Sequence, residues 1–332
     1  MDPIRTRYLS AAEVNATMPP VGERLALAER TMTALVADAE LPPKIGVHPR
    51  PAGSFAHAMP AALHDPTDAS LDLLGIKWVA GFPANHQVGL PAINAVVILS
   101  DPSTGLPRAV LDGGSITAQR TAAVSGVAIA RFGPAGLERA PRAAIVGAGV
   151  QGHSHLEVLG HLLPGVDLAV HDRHPDRANG LAEAARATPG VASAGVAASA
   201  REAVSNADVV ITAASFTAPE HRQAMTGDWL APDALVIPVD YATLCSADVA
   251  LAAALFLVDD RGQFLANRDA GQFDGYPDPG ATLGEAILAG TPRPASGRVL
   301  VTHLGVGLAD VVFADRILQR AEAAGLGTVL GT

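Results

Sequence analysis

Arg142-Ala143-Ala144-Ile145-Val146-Gly147-Ala148-Gly149-Val150-Gln151-Gly152 is the stretch on which the fold turns. A short, largely apolar run enters a glycine turn, and an amphipathic segment over residues 153–161 follows. That order predicts a buried strand, a tight turn and a helix. Gly147 permits the sharp turn, Gly149 lets backbone approach a pyrophosphate, and Gly152 lets the helix pack on the strand. The N–H groups at the helix start, Val150 and Gln151 among them, would bind phosphate oxygens. A second short strand over residues 167–171 ends at Asp172, about 20 residues past the last glycine, where an acid that holds ribose hydroxyls is expected. The pattern points to a dinucleotide site; the alternative is a purely structural strand–turn–helix.

Downstream, helical and apolar segments alternate. Helices are expected over residues 177–187 and 200–205, and strands over 192–196, 208–213, 235–239, 255–258 and 299–302. Asp259-Asp260-Arg261-Gly262 reads as a turn, and residues 271–279 as a Gly- and Pro-rich loop. Upstream, the order changes. Two helices broken at Pro19-Pro20 fill residues 11–39. A strand over 73–80 carries Lys77, residues 82–89 form a loop, and a strand over 92–99 follows. A turn at Asp101-Pro102-Ser103-Thr104-Gly105 leads to a returning strand over 108–112. This meander is antiparallel in character. A helix over 117–132, capped by Thr117, places Arg120 in its first turns. A last helix over 308–323 has an apolar stripe through Leu308, Val311, Val312 and Leu318. The fold class is therefore α/β, a Rossmann-type dinucleotide-binding domain beside a second, α+β domain.

Composition narrows the function. The net charge is −10 with no basic run, which argues against a nucleic-acid partner. No apolar segment reaches the ~18 residues that span a bilayer. The N-terminus lacks a signal-peptide pattern and the single cysteine, Cys245, cannot form an internal disulfide, so a cytoplasmic location is the expectation. One cysteine also argues against a zinc cluster, and His153 and His155, two apart on a helix, point to different faces, so no metal is expected. Only Lys44 and Lys77 are lysines among the 23 Lys plus Arg residues. In so arginine-biased a chain, a surviving lysine marks a place for a compact, titratable amine; chance survival is the competing reading.

Four ordered segments resemble the ornithine cyclodeaminase/μ-crystallin family. They are Gly75-Ile76-Lys77-Trp78-Val79 with Pro83, Asn85 and Gly89-Leu90-Pro91; Asp101-Pro102-x-Thr104-Gly105 with Ile116-Thr117-Ala118-x-Arg120-Thr121-Ala122-Ala123; Gly147-Ala148-Gly149-x-Gln151; and Leu304-Gly305-x-Gly307-x-x-Asp310. The resemblance implies a discontinuous substrate-binding and dimerisation domain, residues 1–122 and 303–332, around a dinucleotide domain, residues 123–302. It places the active site in the cleft between them and makes the protein a homodimer whose two sheets close together. It implies hydride transfer between the Cα of a small amino or imino acid and the nicotinamide of NAD or NADP.

The same resemblance distributes roles. Arg120 suits a substrate carboxylate through its bidentate fork, with an interface salt bridge as the alternative. Lys77 stands near carboxylate and imine and can hold the one or exchange protons with the other. Lys44 falls where relatives have arginine, keeping the charge. Met59 matches a Met-Pro pair at the substrate wall, or is a packing methionine. Asp240 corresponds most nearly to the catalytic aspartate of the cyclodeaminases, but the Pro-Gly that follows it there is missing, which argues against cyclisation of ornithine or lysine. Thr121, Gly147, Gly149, Val150, Gln151, Ser215, His303 and Gly305 are the dinucleotide contacts it implies. Asp172 favours NAD by repelling a 2′-phosphate, while Arg173 and His174 would hold one. Phe82, His86 and the loop 271–279 are expected to shape the accepted side chain. The activities implied are amino-acid dehydrogenase, ketimine reductase or cyclodeaminase; a non-catalytic protein that binds nucleotide and a small ligand is the competing class. Lys77, Arg120 and Asp240 together favour an enzyme, because a pure binder needs no proton-handling groups.

Overall fold

The computed structural model describes residues 5–331 apart from Phe216 and Ala218. The chain forms two compact units, Met1–Arg120 with Gly305–Thr332, and Thr121–Leu304.

The first unit opens with strand β1 (Arg5–Leu9), helices α1 (Ala11–Ala16) and α2 (Val21–Ala34), and short strands β2 (Ala39–Glu40) and β3 (Ile45–Val47). The meander is β4 (Phe55–Leu63), β5 (Leu73–Gly81), β6 (Ile93–Ser100) and β7 (Pro107–Asp112). Between β5 and β6 the expected loop is wound into a 3-10 turn, Pro83–Val88, closed by Gly89 in a left-handed conformation. At the β6–β7 turn, Asp101 Oδ1 accepts from the backbone N–H groups of Ser103 and Thr104, so a side chain supplies the acceptor that holds the turn. The neighbours β4 to β7 are antiparallel, but the sheet is mixed: β1 joins β7 in parallel.

Along β5 burial alternates with the pleat, turning Leu73, Gly75, Lys77, Val79 and Gly81 to one face. A lysine thus occupies an inward slot. Helix α3 (Gly114–Phe132) starts earlier than expected. Asp112 Oδ1 accepts the Gly114 N–H, while the Thr117 N–H donates to the Gly113 carbonyl. Thr117 is therefore inside the helix and does not cap it.

The second unit is a parallel sheet. Its elements are β8 (Arg142–Val146), α4 (Val150–Leu162), β9 (Val166–His171), α5 (Pro175–Arg186), β10 (Val191–Val196), α6 (Ala200–Val204), β11 (Val209–Thr212) and β12 (Leu235–Pro238), followed by α7 (Ala247–Leu251), β13 (Leu255–Val258), α8 (Arg261–Asp269), β14 (Ala281–Thr282), α9 (Leu283–Leu288) and β15 (Val299–Thr302). The strand order is β10-β9-β8-β11-β12-β15-β13-β14. From β8 the chain builds outward through β9 and β10, then returns to lay β11 on the other side of β8. Such a reversal opens a crevice at the carboxyl ends of the two strands, the place where doubly wound sheets bind ligands.

One reading of this unit needs correction. Asp259-Asp260-Arg261-Gly262 does not turn back: Asp260 Oδ1 accepts the Gln263 N–H and starts α8. The loop 271–279 is pinned from within, since Phe273 and Tyr276 are buried with Phe256 and Phe264. The Tyr276 hydroxyl donates to the Cys245 carbonyl at 2.8 Å, so these two side chains pack in the core of the unit.

The chain returns to the first unit with α10 (Gly307–Ala323) and β16 (Thr328–Gly331), which pairs antiparallel with β1. Helix α10 lies against β5: a Cβ on Gly75 would sit 3.0 Å from Val311 Cγ2. No helix among the described residues is long and apolar enough to cross a membrane.

Candidate functional site

In the first unit, β5 and α10 bring a lysine and an aspartate together inside the protein. Lys77 Nζ is 2.6 Å from Asp310 Oδ2, and their side chains are 1% and 0% exposed. Arg120 Nε, from α3, is 3.1 Å from Asp310 Oδ1. One carboxylate thus serves two cations. A guanidinium stays charged, so the lysine is the partner that gives way: burial first, then the Arg120 charge, pull its pKa down to about 7 against the attraction of Asp310. Lys44, partly buried just ahead of β3, adds positive charge in the same sense. His57, on β4 and half-buried, is held less basic than usual by burial and then by the charges of Lys44, His48 and Lys77.

The register explains the convergence. Met59 is the cross-strand partner of Lys77, and Gly46 pairs with His57, so Lys44, His57, Met59 and Lys77 are drawn into one patch. Met59 is buried. A Cβ on Gly307 would lie 2.5 Å from the Met59 carbonyl oxygen, so the glycine lets α10 seat there. Gly305 has φ +80, and a Cβ on it would fall 2.4 Å from an Arg120 guanidinium nitrogen. Its lack of a side chain makes room for Arg120, a packing reason separate from the expected dinucleotide contact. Asp310 belongs to the motif Leu304-Gly305-x-Gly307-x-x-Asp310, but nothing in the sequence assigns it a role. An acid in the first turn of a helix reads as an ordinary dipole partner, and only its burial shows otherwise.

In the second unit the glycine turn lies at the strand reversal. Gly147 has φ +112, and a Cβ there would stand 2.3 Å from the Ala213 carbonyl at the end of β11. A Cβ on Gly152 would stand 2.4 Å from the Gly147 carbonyl. Both glycines are therefore needed for packing. Gly149 differs: among the described residues, none beyond its own chain neighbours comes within 4 Å of the position its Cβ would take. It leaves open space above the start of α4, where Val150 is 71% exposed, and this fits a bound pyrophosphate. Asp172 Oδ2 accepts the Ala148 N–H at 2.8 Å and Oδ1 accepts the His174 N–H. The acid is thus fixed beside the turn with lone pairs left for ribose hydroxyls. Arg173 Nε donates to His174 Nε2 in an exposed position. Ser215, exposed, follows β11, and Thr121 is buried.

At the end of β12, Asp240 is buried. Its carboxyl accepts from the Thr212 hydroxyl at 2.8 Å and the Ala214 N–H at 2.9 Å. Burial outweighs both bonds and pushes its pKa up to about 7. Tyr241 beside it has φ +61, a rare conformation for a non-glycine residue, with its hydroxyl 3.3 Å from the Leu304 carbonyl. His303, at the exit of β15, is buried with Nε2 2.9 Å from Ser125 Oγ. Two groups poised near neutrality, Lys77 and Asp240, are suited to proton transfer. Among the described residues no cluster of three or more His, Cys, Asp or Glu is placed to hold a metal ion.

The chain is similar to known proteins. The chain is 34% identical over 330 residues to nodulation efficiency protein NfeD of Rhizobium meliloti, covering 98% of both chains. It is 32% identical over 268 residues to ketimine reductase mu-crystallin of Mus musculus, covering 79% of each. Among solved structures, the Thermococcus litoralis Δ1-pyrroline-2-carboxylate reductase in complex with NADH and L-proline superposes with a TM-score of 0.82 at 25% identity, over 97% of this chain and 99% of that one. The sequence pattern of the ornithine cyclodeaminase/mu-crystallin family matches residues 10–271. With its meander, its glycine turn and its paired cations in the order that this match spans, the chain belongs to the ornithine cyclodeaminase/mu-crystallin family.

Proposed function

We propose that this protein is an NAD-dependent oxidoreductase that reduces the C=N group of a small imino acid, or oxidises the corresponding amino acid. The observation that carries the reading is the imbalance at Asp310: two buried cations share one acid, with Lys44 close enough to act on Lys77. The surplus positive charge, closed off from water, is complementary to an α-carboxylate. Two relatives are named as reductases of ketimines and of Δ1-pyrroline-2-carboxylate, which supports the reductive direction.

Arg120 and Lys44 bind the substrate carboxylate, Arg120 keeping its charge at every working pH. Lys77 holds a proton at Nζ and hands it to the substrate nitrogen or takes it back. Met59 forms an apolar wall beside Lys77. Asp240 moves a second proton at its carboxyl, with Thr212 and Ala214 fixing its orientation. Gly149, Val150 and Gln151 would hold the pyrophosphate and Asp172 the ribose hydroxyls; the bound nicotinamide would supply or accept the hydride at Cα. The carboxylate of Asp172 disfavours a 2′-phosphate, so NAD is preferred over NADP.

The first unit also forms the homodimer. The sheet face opposite Lys77 carries Leu74, Ile76 and Trp78 on β5, with Val96 and Ile98 opposite on β6. Leu74, Trp78 and Val96 are all exposed, and a second copy of the same face would cover them.

The test follows NADH and NADPH oxidation with cyclic imino acids, and NAD reduction with the matching amino acids. Turnover of at least one imino acid, faster with NADH, is expected. No turnover of any imino or amino acid with either dinucleotide would reject the enzyme.

A further inference from the structure

Two buried side chains of the second unit, Ser125 and His155, have no part in the reading above, and they connect to His303, an expected dinucleotide contact. Ser125 on α3, His155 on α4 and His303 after β15 are all closed to solvent. His155 Nδ1 is 2.6 Å from the Gln151 carbonyl oxygen. His155 Nε2 is 2.8 Å from Ser125 Oγ, and Ser125 Oγ is 2.9 Å from His303 Nε2. These contacts join the first turn of the glycine-turn helix to the exit of β15.

Proton counting sets their direction. A carbonyl oxygen only accepts, so His155 Nδ1 carries the hydrogen and donates to Gln151. The His155 ring is neutral, because burial brings its pKa down to about 4, and Nε2 is then a bare acceptor. The Ser125 hydroxyl donates its only hydrogen there. Ser125 Oγ can consequently only accept from His303, whose Nε2 must carry a hydrogen. Reversing any one bond would leave two donors or two acceptors facing each other in a buried site, at a cost that native interiors avoid.

We propose that Ser125 and His155 are positioning residues of the dinucleotide site, a one-directional hydrogen-bond relay that holds Gln151 and His303 in fixed relation. The inference rests on the dinucleotide reading above. Its structural basis is placement. Gln151 lies in the first turn after the Gly149 gap, and His303 leaves the carboxyl end of β15, on the side of the parallel sheet where the glycine turn leaves β8. Crevices at that edge bind the ligands of doubly wound sheets. Groups that set a loop's orientation through buried bonds change affinity when they are lost, even without touching the ligand.

Nitrogen-15 spectra of histidine-labelled protein without dinucleotide report each ring's tautomer, and fluorescence titration reports NADH binding. Wild type is expected to show His155 protonated at Nδ1 and His303 protonated at Nε2. Ser125→Ala is expected to lose that His303 signature and to bind NADH at least tenfold more weakly. Ser125→Thr, which keeps the hydroxyl, restores both. His303→Gln, whose amide can still donate to Ser125, binds within a few-fold of wild type, and His303→Phe does not. The opposite tautomers in wild type overturn the relay. So does Ser125→Ala that melts like wild type and binds NADH equally well. Failure of the wild type to bind NADH or NADPH removes the dinucleotide reading and the inference with it; binding by wild type with no difference among the variants removes the inference alone.

Discussion

Lys77 Nζ lies 2.6 Å from Asp310 Oδ2, yet the lysine is not a satisfied ion pair. Asp310 also faces Arg120 through its other oxygen at 3.1 Å. With one negative charge divided between two cations, the group that can shed its proton carries the deficit. A substrate carboxylate would supply the missing charge, so binding and protonation of Lys77 are coupled.

The two ends of the pair should differ in stability. Removing Lys77 as Met leaves Asp310 still paired with Arg120. Changing Asp310 to Asn leaves two buried cations uncompensated, and breaking a buried pair this way costs about 3–5 kcal/mol. In urea denaturation, Asp310→Asn is expected to lose several times more stability than Lys77→Met, although both abolish turnover. Equal losses would show that Asp310 is not the shared counter-ion.

Carboxylate binding should weaken as the pH rises through about 7, the pKa of the free Lys77 ammonium. The lysine is charged below that value and neutral above it, whereas Arg120 does not titrate. The dissociation constant of the amino acid that the protein turns over, measured by calorimetry from pH 6 to about 9, is expected to rise with a break near neutrality. In kcat the same break moves to higher pH, because bound carboxylate holds the proton on. Lys77→Met should flatten the profile.

Asp240 is shifted in the opposite direction from Lys77. Its pKa is raised from 3.8 to about 7 by burial. A raised carboxyl favours the folded state while protonated, so its contribution is fully present below 3.8 and is lost as the pH climbs through about 7. The loss approaches ~1.4 kcal/mol per pH unit within that window. In Asp240→Asn that dependence disappears, so the difference in stability from wild type should slope across pH 4 to about 7 and level off on either side. Turnover of the variant should fall by about 10²-fold or more. Unchanged turnover would take Asp240 out of the mechanism.

Gly147 and Gly149 separate folding from binding. At Gly147 a methyl group meets the Ala213 carbonyl at 2.3 Å and the backbone sits at φ +112, so Gly147→Ala should lower the melting temperature sharply. At Gly149 none of the described residues beyond its chain neighbours stands within 4 Å of such a methyl group. Gly149→Ala should melt like wild type and bind NADH at least tenfold more weakly, by fluorescence titration. Normal affinity in that variant would place the pyrophosphate elsewhere.

Trp78, 44% exposed on the outer sheet face, tests the dimer. A charge placed at the centre of an apolar interface is left desolvated and unpaired. Trp78→Glu should sediment as a monomer while wild type sediments as a dimer; a wild-type monomer at micromolar concentration would end that proposal.

The local grammar of this chain was readable from its residues. Residues 142–152 announce strand, turn and helix because a glycine's permitted angles and an apolar run act over a few positions. The largely apolar run over residues 73–80 announces a strand carrying Lys77, and the pleat of the folded strand turns that lysine inward. Signals of that range also misled: Asp259-Asp260-Arg261-Gly262 has turn composition, but the same acid that favours turns caps a helix. Gly- and Pro-rich composition announces the loop 271–279, but not that its Phe273 and Tyr276 are buried in the core. The short strands β1 and β16 have too little alternation to be seen alone, and each is defined by pairing with the other end of the chain.

The site divides in the same way. Residue type, composition and spacing were enough to single out Lys77, Asp172 and the glycines of the turn, and the family resemblance added Arg120 and Asp240. Only tertiary structure decided what each one faces. Asp310 meets Arg120 from 190 positions away, and Ser125 meets His303 from 178. No periodicity encodes such meetings, because the free energy of a buried charge or hydroxyl depends on which partner and how little water the finished packing leaves beside it.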